Sequence, residues 1–401
     1  MMIPERPSLE RRVLTALDST VSSAPRIPVV LGGCGTGRTS LLLRVRDLLG
    51  RNACQYIDVE RIATTPERML QAIRDVSPFA FHSTTSAVRA DTTARMAFDA
   101  TLAWLGAARA PGDAPATFLL DEFLELRTFE SFPGLRSVLR DLITSIAANG
   151  NRFVLTSRYT ARTLRVLRDA PHQFEIVHVA PLTAAEIRAT LPAGSDIDRA
   201  ATGLSEAEDD RARDELARLV QALSEGRPAY ARMLADTATA MATRGAADPV
   251  SALAALLAPG GALALQCQHC YELRLHRARG YGALKAILEV LAEEEPLTLT
   301  EISLRLRRTP GSTKDYLSWL EDVDLIASHQ KRYSFADPMM RLWVRLHCRP
   351  APPSDDDVVR EVHTYVIGRL PAAQPAPALA LAGAGEAPPE RDKNWGIIEI
   401  D

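Results

Sequence analysis

The 401-residue chain carries 47 basic and 50 acidic side chains, a net charge of −3, with 46% hydrophobic and 24% charged residues. That balance excludes a disordered or fibrous chain and a chain-wide basic surface for nucleic acid or anionic lipid, and the length asks for two or three domains. Five cysteines, an odd number, and an N-terminus without an apolar signal stretch point to a reducing, cytoplasmic setting.

Apolar β-type runs at 27–31, 55–59, 117–121, 153–156 and 174–179 alternate with helical stretches such as 40–49, which predicts a mostly parallel sheet in an α/β domain over 1–182. Ser, Thr and Ala crowd 83–95, the composition of an inserted loop ahead of a helix at 97–108. At Thr183 the strands stop. Thr183 and Glu186 have the spacing of a capping box, and a helical lid is expected over 183–261. Residues 262–347 read as a linking helix, three helices (284–291, 299–306, 311–320) and a hairpin (325–328, 332–335), the order of a winged helix-turn-helix. A further helix and a Pro/Ala-rich linker fill 348–393. The last segment, 394–401, sets Trp395, Ile397, Ile398 and Ile400 before Asp401, the layout of a docking peptide for a protein partner. The uncharged runs 249–266 and 371–385 are broken by Pro259-Gly260-Gly261 or rich in proline, so no membrane span is expected.

Gly32-Gly33-Cys34-Gly35-Thr36-Gly37-Arg38-Thr39 follows an apolar strand and precedes a helix, the context that a phosphate-binding loop requires. Its glycines let backbone amides turn inward around an anion, and the helix N-terminus adds partial positive charge. Arg38 stands where that pattern has lysine. It can hold phosphate oxygens but lacks the compact ammonium that follows a transferring group, which puts normal hydrolysis in question. A strand, Thr117 to Asp121, ends in Asp121-Glu122, where one carboxylate can hold Mg²⁺ and the other can polarise water. A third strand ends in Thr156-Ser157-Arg158, offering hydroxyls and a guanidinium where phosphates would lie. Each element alone has a plain alternative: a glycine-rich turn, a solvated strand end or a polar loop start.

These three elements in this order resemble the AAA+ and STAND ATPases, in particular the archaeal-type ATPase family with a C-terminal winged helix, over about residues 1–347. The resemblance implies a P-loop NTPase fold with ATP or ADP and Mg²⁺ as ligands. Gly32 to Thr39, with Ser40 beside them, would be the Walker A loop. Thr39 and Asp121 would hold the metal, Glu122 would position water and Arg158 would sense the γ-phosphate. Gly226-Arg227-Pro228 looks like the Gly-x-Pro element of the STAND lid, which places Pro228 over the nucleotide. Arg6-Pro7-Ser8-Leu9-Glu10 is similar to the element beside the adenine, and the segment Phe335-Ala336-Asp337-Pro338-Met339-Met340-Arg341-Leu342-Trp343 resembles the end of the family's winged helix. The implied function is a nucleotide-dependent switch that signals to a protein partner and is compatible with a homo-oligomer. A DNA-binding regulator or loader and a non-hydrolysing pseudo-ATPase scaffold are the alternatives.

Two features weigh on those alternatives. Over 281–346 nine basic residues face ten acidic ones, and the expected recognition helix sets Asp315 beside Lys314, so a protein contact is favoured over DNA even with His329, Lys331 and Arg332 on the wing. Cys267-Gln268-His269-Cys270, with His276 nearby, has a metal-like spacing but no second pair to complete a tetrahedral shell. Two small buried side chains on one helix face account for it, and no metal or catalytic role is expected for any cysteine.

Overall fold

Five strands form the central sheet: β1 (Ile27–Leu31), β2 (Cys54–Asp58), β3 (Thr117–Asp121), β4 (Arg152–Ser157) and β5 (Phe174–His178). They come from a computed structural model, which describes residues 6–18, 26–79, 93–171, 173–192, 205–242, 248–276 and 280–370. The docking peptide expected at 394–401, the linker before it and most of the insertion expected at 83–95 lie outside the described residues.

The order is β2-β3-β4-β1-β5, and every pairing is parallel. β1 and β3 are buried along their full length, as apolar strands covered on both faces by helices must be. Side chains alternate across the sheet. Val30, Leu119 and Val154 meet Leu9, Val13 and Leu17 of the helix Pro7–Leu17 and Leu41, Leu42 and Val45 of the helix Arg38–Leu49. Val29, Leu31, Phe118, Leu120, Phe153 and Leu155 face the other side. There Phe118 stacks on Phe153 with centroids 5.5 Å apart and meets the Trp104 ring edge-on. The registers Leu31 with Ser157 and Asp58 with Asp121 bring the phosphate loop and the acidic strand end to one edge of the sheet.

After β5 the described residues form only helices as far as Glu293. Thr183 and Glu186 form the expected capping box at the helix Ala184–Thr190, and Ser205 with Glu208 caps the helix Glu206–Ser224 in the same way. Glu225 and Gly226 then turn with positive φ into the lid helix Pro228–Ala242. Only glycine fits at 226, because a Cβ there would lie 2.3 Å from the Leu182 carbonyl oxygen.

Helices Pro249–Leu257 and Ala262–Leu275 follow; the second is the linking helix. Three helices, Tyr281–Glu293, Leu299–Arg305 and Pro310–Asp322, precede the hairpin β7 (Ile326–His329) and β8 (Arg332–Phe335), with β6 (Leu297–Thr298) paired to β8. This is a winged helix-turn-helix. A terminal helix, Pro338–His347, and a last one, Asp355–Ile367, pack it back onto the lid. Arg345 and Glu361 join those two helices at 2.8 Å, and the Tyr365 hydroxyl donates to the Leu223 carbonyl at 3.0 Å. Among the described residues no single helix is long and apolar enough to cross a membrane.

Candidate functional site

The loop between β1 and the helix Arg38–Leu49 turns through Gly35 and Gly37, at φ +74° and +90°, a region L side chains avoid. Thr36 stiffens it by donating from Oγ1 to the Gly33 carbonyl at 2.9 Å. The start of the lid helix closes over the loop: the Ala229 amide donates to the Gly35 carbonyl at 3.0 Å, and a Cβ on Gly35 would lie 2.8 Å from that of Ala229. Between loop and lid lies a cavity of about 350 Å³. Of the residues singled out in the sequence, Arg6, Glu10, Gly35, Thr36, Gly37, Arg38, Thr39, Ser40 and Pro228 line it. Gly32, Gly33 and Cys34 are not among the residues that line it.

Arg38 is buried, at 7% exposure, and its guanidinium bonds the Gly32 and Gly33 carbonyls, lies 3.4 Å from the Thr36 hydroxyl and pairs with Glu122. Thr39 donates to Asp121 Oδ2 at 2.7 Å, Tyr56 donates to the same oxygen at 2.8 Å, and the Thr156 hydroxyl bonds Oδ1. The Glu122 amide in turn donates to Thr156 Oγ1 at 3.0 Å. Thr156 thus ties β4 to the acidic end of β3.

Glu122, in the left-handed region at φ 56°, is held from both sides. One oxygen meets Arg38, and the other accepts from the Arg158 amide at 3.0 Å and lies 3.1 Å from Arg158 Nε. Burial pushes its carboxyl up, but the charges of Arg38 and Arg158 outweigh this and hold it below the ordinary carboxylate range. Arg158 also pairs with Glu60, so both its neighbours are acidic. Burial pulls its pKa down, and Glu122 and Glu60 more than restore it.

A second set of contacts joins the loop to the winged helix. Arg227 Nη1 donates to the Cys34 carbonyl at 3.2 Å and lies 3.2 Å from Asp337 Oδ2, which also accepts from the Tyr230 hydroxyl at 2.9 Å. Asp337 caps the terminal helix Pro338–His347 through the Met339 and Met340 amides. Arg274, on the linking helix, reaches Cys34 Sγ at 3.8 Å and the Asp324 carbonyl at 3.1 Å. The Asp324 carboxylate accepts the Thr160 and Ala161 amides just beyond β4, and Arg165 pairs with Asp322 at 2.7 Å.

In chemical terms, a glycine-turned loop that runs into a helix N-terminus suits phosphate oxygens. The Thr39 hydroxyl and Asp121 carboxylate are adjacent hard oxygens, the donor set that Mg²⁺ takes when phosphates and water fill the rest of its shell. Among the described residues no group of three or more His, Cys, Asp or Glu side chains could hold a metal by itself. Several lining residues escape sequence reasoning: Arg44, Arg232, Met233 and Gln266. Arg44 lies one turn beyond Ser40 and Arg232 four residues beyond Pro228, so helical spacing from the motifs could have found both. Gln266, Arg274 and the pairing of Asp337 with Arg227 carry no local signal.

No protein-family profile and no curated protein matches the chain. It is similar to the solved structure of a Walker-type ATPase of Pyrococcus abyssi, at 17% identity and a TM-score of 0.55, over 86% of this chain and 96% of that one. It also aligns with the Orc1 protein of Aeropyrum pernix in complex with DNA, at 16% identity and a TM-score of 0.43, over 92% and 95% of the two chains. The first likeness, together with the strand order and loop geometry, establishes the P-loop NTPase fold.

Proposed function

We propose that this chain binds ATP with Mg²⁺ between its phosphate loop and lid helix and acts as a nucleotide-dependent switch of the AAA+/STAND kind, its winged helix reporting the bound state to a protein partner. The observation that carries this reading is the single guanidinium of Arg227, shared between a phosphate-loop carbonyl and the N-cap of the terminal helix, Asp337. A ligand that moves Cys34 alters that contact directly, which is the kind of differential interaction a switch requires. The named activity of the Pyrococcus abyssi neighbour agrees with the ligand.

In this scheme loop amides and Arg38 hold the phosphates, Thr39 and Asp121 hold Mg²⁺, and the metal supplies charge neutralisation at the phosphate oxygens. Glu122 must free one oxygen from Arg38 or Arg158 before it can orient a water. A charge-assisted contact of this type is worth roughly 1.5–3 kcal/mol, which slows turnover by roughly one to two orders of magnitude. The pairing therefore supports a slow ATPase or a purely nucleotide-binding scaffold. The balanced charge of 281–346 supports a protein partner over DNA.

ATP binding and steady-state hydrolysis, measured on the full chain beside Asp121→Ala and Glu122→Gln, test this. Mg²⁺-dependent binding that weakens in Asp121→Ala and turnover that vanishes in Glu122→Gln are expected. Tight binding with no turnover in the unaltered chain selects the scaffold. Absence of any ATP binding sinks the reading.

A further inference from the structure

Cys34, inside the loop between two glycines, is 9% exposed and faces Cys270 of the linking helix, 1% exposed, thiol to thiol through a hydrogen bond. Arg274, one turn further along that helix, approaches Cys34 Sγ to 3.8 Å. The bond from Cys270 pulls the Cys34 thiol well below its ordinary pKa, against the effect of burial, and the charges of Arg274, Arg158 and Arg38 pull the same way. Cys270 is pushed up by that same bond and by burial. The pair thus sets an acidified thiol beside a second thiol held up by burial, the kind of pairing that thiol redox chemistry uses. No other cysteine shares this setting: burial raises Cys54 to about 12 and raises Cys267 and Cys348 as well, and Cys267 lies against the Tyr230 hydroxyl at 4.0 Å.

We propose that Cys34 and Cys270 form a reversible disulfide that staples the phosphate loop to the linking helix and makes the site redox-gated. The oxidant is a hydroperoxide. The Cys34 sulfur attacks the outer peroxide oxygen; the O–O bond breaks, two electrons pass from sulfur to the peroxide, and the departing oxygen takes up a proton. The resulting sulfenic acid is then attacked by the Cys270 sulfur, which loses its proton as the S–O bond breaks and water leaves. Two thiols already in hydrogen-bond contact need only a short approach to the S–S distance of about 2 Å. A dithiol reductant reverses the sequence.

The bridge stands on the cysteines alone, whereas its effect on ligand rests on the nucleotide reading above. Cys34 carries the carbonyl bound by Arg227, and the linking helix carries the Arg274 contact to Asp324. A covalent tie between them fixes the loop against the helix and removes the freedom that ligand-driven motion needs.

The test treats the full chain with hydrogen peroxide, then alkylates, digests without reductant and identifies cross-linked peptides by mass spectrometry. A Cys34–Cys270 peptide is expected, lost on adding dithiothreitol, absent from Cys34→Ser and Cys270→Ser, and retained in Cys267→Ser. A Cys267–Cys270 product, or oxidation of Cys34 to sulfinic acid without any cross-link, overturns the proposal, and both outcomes are read in the unaltered chain. In parallel, thermal melting with and without ATP and Mg²⁺ compares reduced and oxidised protein, and oxidation is expected to weaken ATP roughly tenfold or more. Equal ATP responses in cross-linked and reduced protein overturn the gate. A cross-link that forms in protein whose reduced form ignores ATP leaves the bridge standing and removes the nucleotide reading instead.

Discussion

Arg38 shows how far one side chain can redirect the contacts of a glycine-rich loop. Lysine would place a single ammonium over the loop, whereas the arginine fork spans the Gly32 and Gly33 carbonyls and still reaches Glu122. It therefore neutralises the carboxylate that hydrolysis would need. Arg38→Lys breaks that triple engagement, and the expected result is a rise in kcat of roughly tenfold with ATP affinity changed by only a few-fold. Single-turnover hydrolysis beside equilibrium binding reads both numbers. Unchanged or lower turnover would show that the pairing of Glu122 is not the brake.

At the scale of elements, the lid depends on a turn that only glycine can make. Gly226 has φ +65°, and an added Cβ would also lie 2.8 Å from the Leu182 amide nitrogen, so Gly226→Ala combines a left-handed penalty with a clash against main chain. A loss of more than about 2 kcal/mol is expected in denaturant unfolding. The C-terminal helix is fastened differently. Glu361 takes Arg345 at 2.8 Å and Arg349 at 3.2 Å, and although burial pushes its carboxyl up, the two guanidinium groups bring it below the ordinary range. A depressed folded-state pKa means that its stabilisation is complete above the unfolded value of about 4.3 and is lost as pH falls through the folded one. Glu361→Gln should therefore cost roughly 1–3 kcal/mol at neutral pH and less in acid. Stability curves that differ by the same amount at pH 7 and pH 3 would contradict this.

Across the whole molecule, the phosphate loop, the end of β4 and the winged helix are tied through Arg227, Arg274, Asp324 and Asp337. Asp337→Asn isolates one strand of that coupling, because asparagine still caps a helix but no longer carries the charge that Arg227 meets. ATP is expected to bind this variant within a few-fold of the unaltered chain, while ligand-induced changes in hydrogen exchange over 338–347 shrink. If those changes persist at full size, the signal travels by another path.

Local chemistry alone determined a good deal. The period of apolar residues set β1 and β3 to the residue, the capping residues marked where the lid begins, and the phosphate loop was legible because its glycines answer a backbone requirement that no other residue meets. Helix ends such as Pro310–Asp322 ran a residue or two past the sequence reading, since terminal turns are set by caps and neighbours as much as by periodicity. Placing β4 between β1 and β3 was beyond local reasoning, and so was the turning of Arg38 toward a carboxylate on another strand. The meeting of Cys34 with Cys270 belongs with these. Such pairings depend on which surfaces the packed sheet, lid and winged helix bring together, and that choice is made by burial summed over the whole chain, leaving no spacing in the sequence to record it.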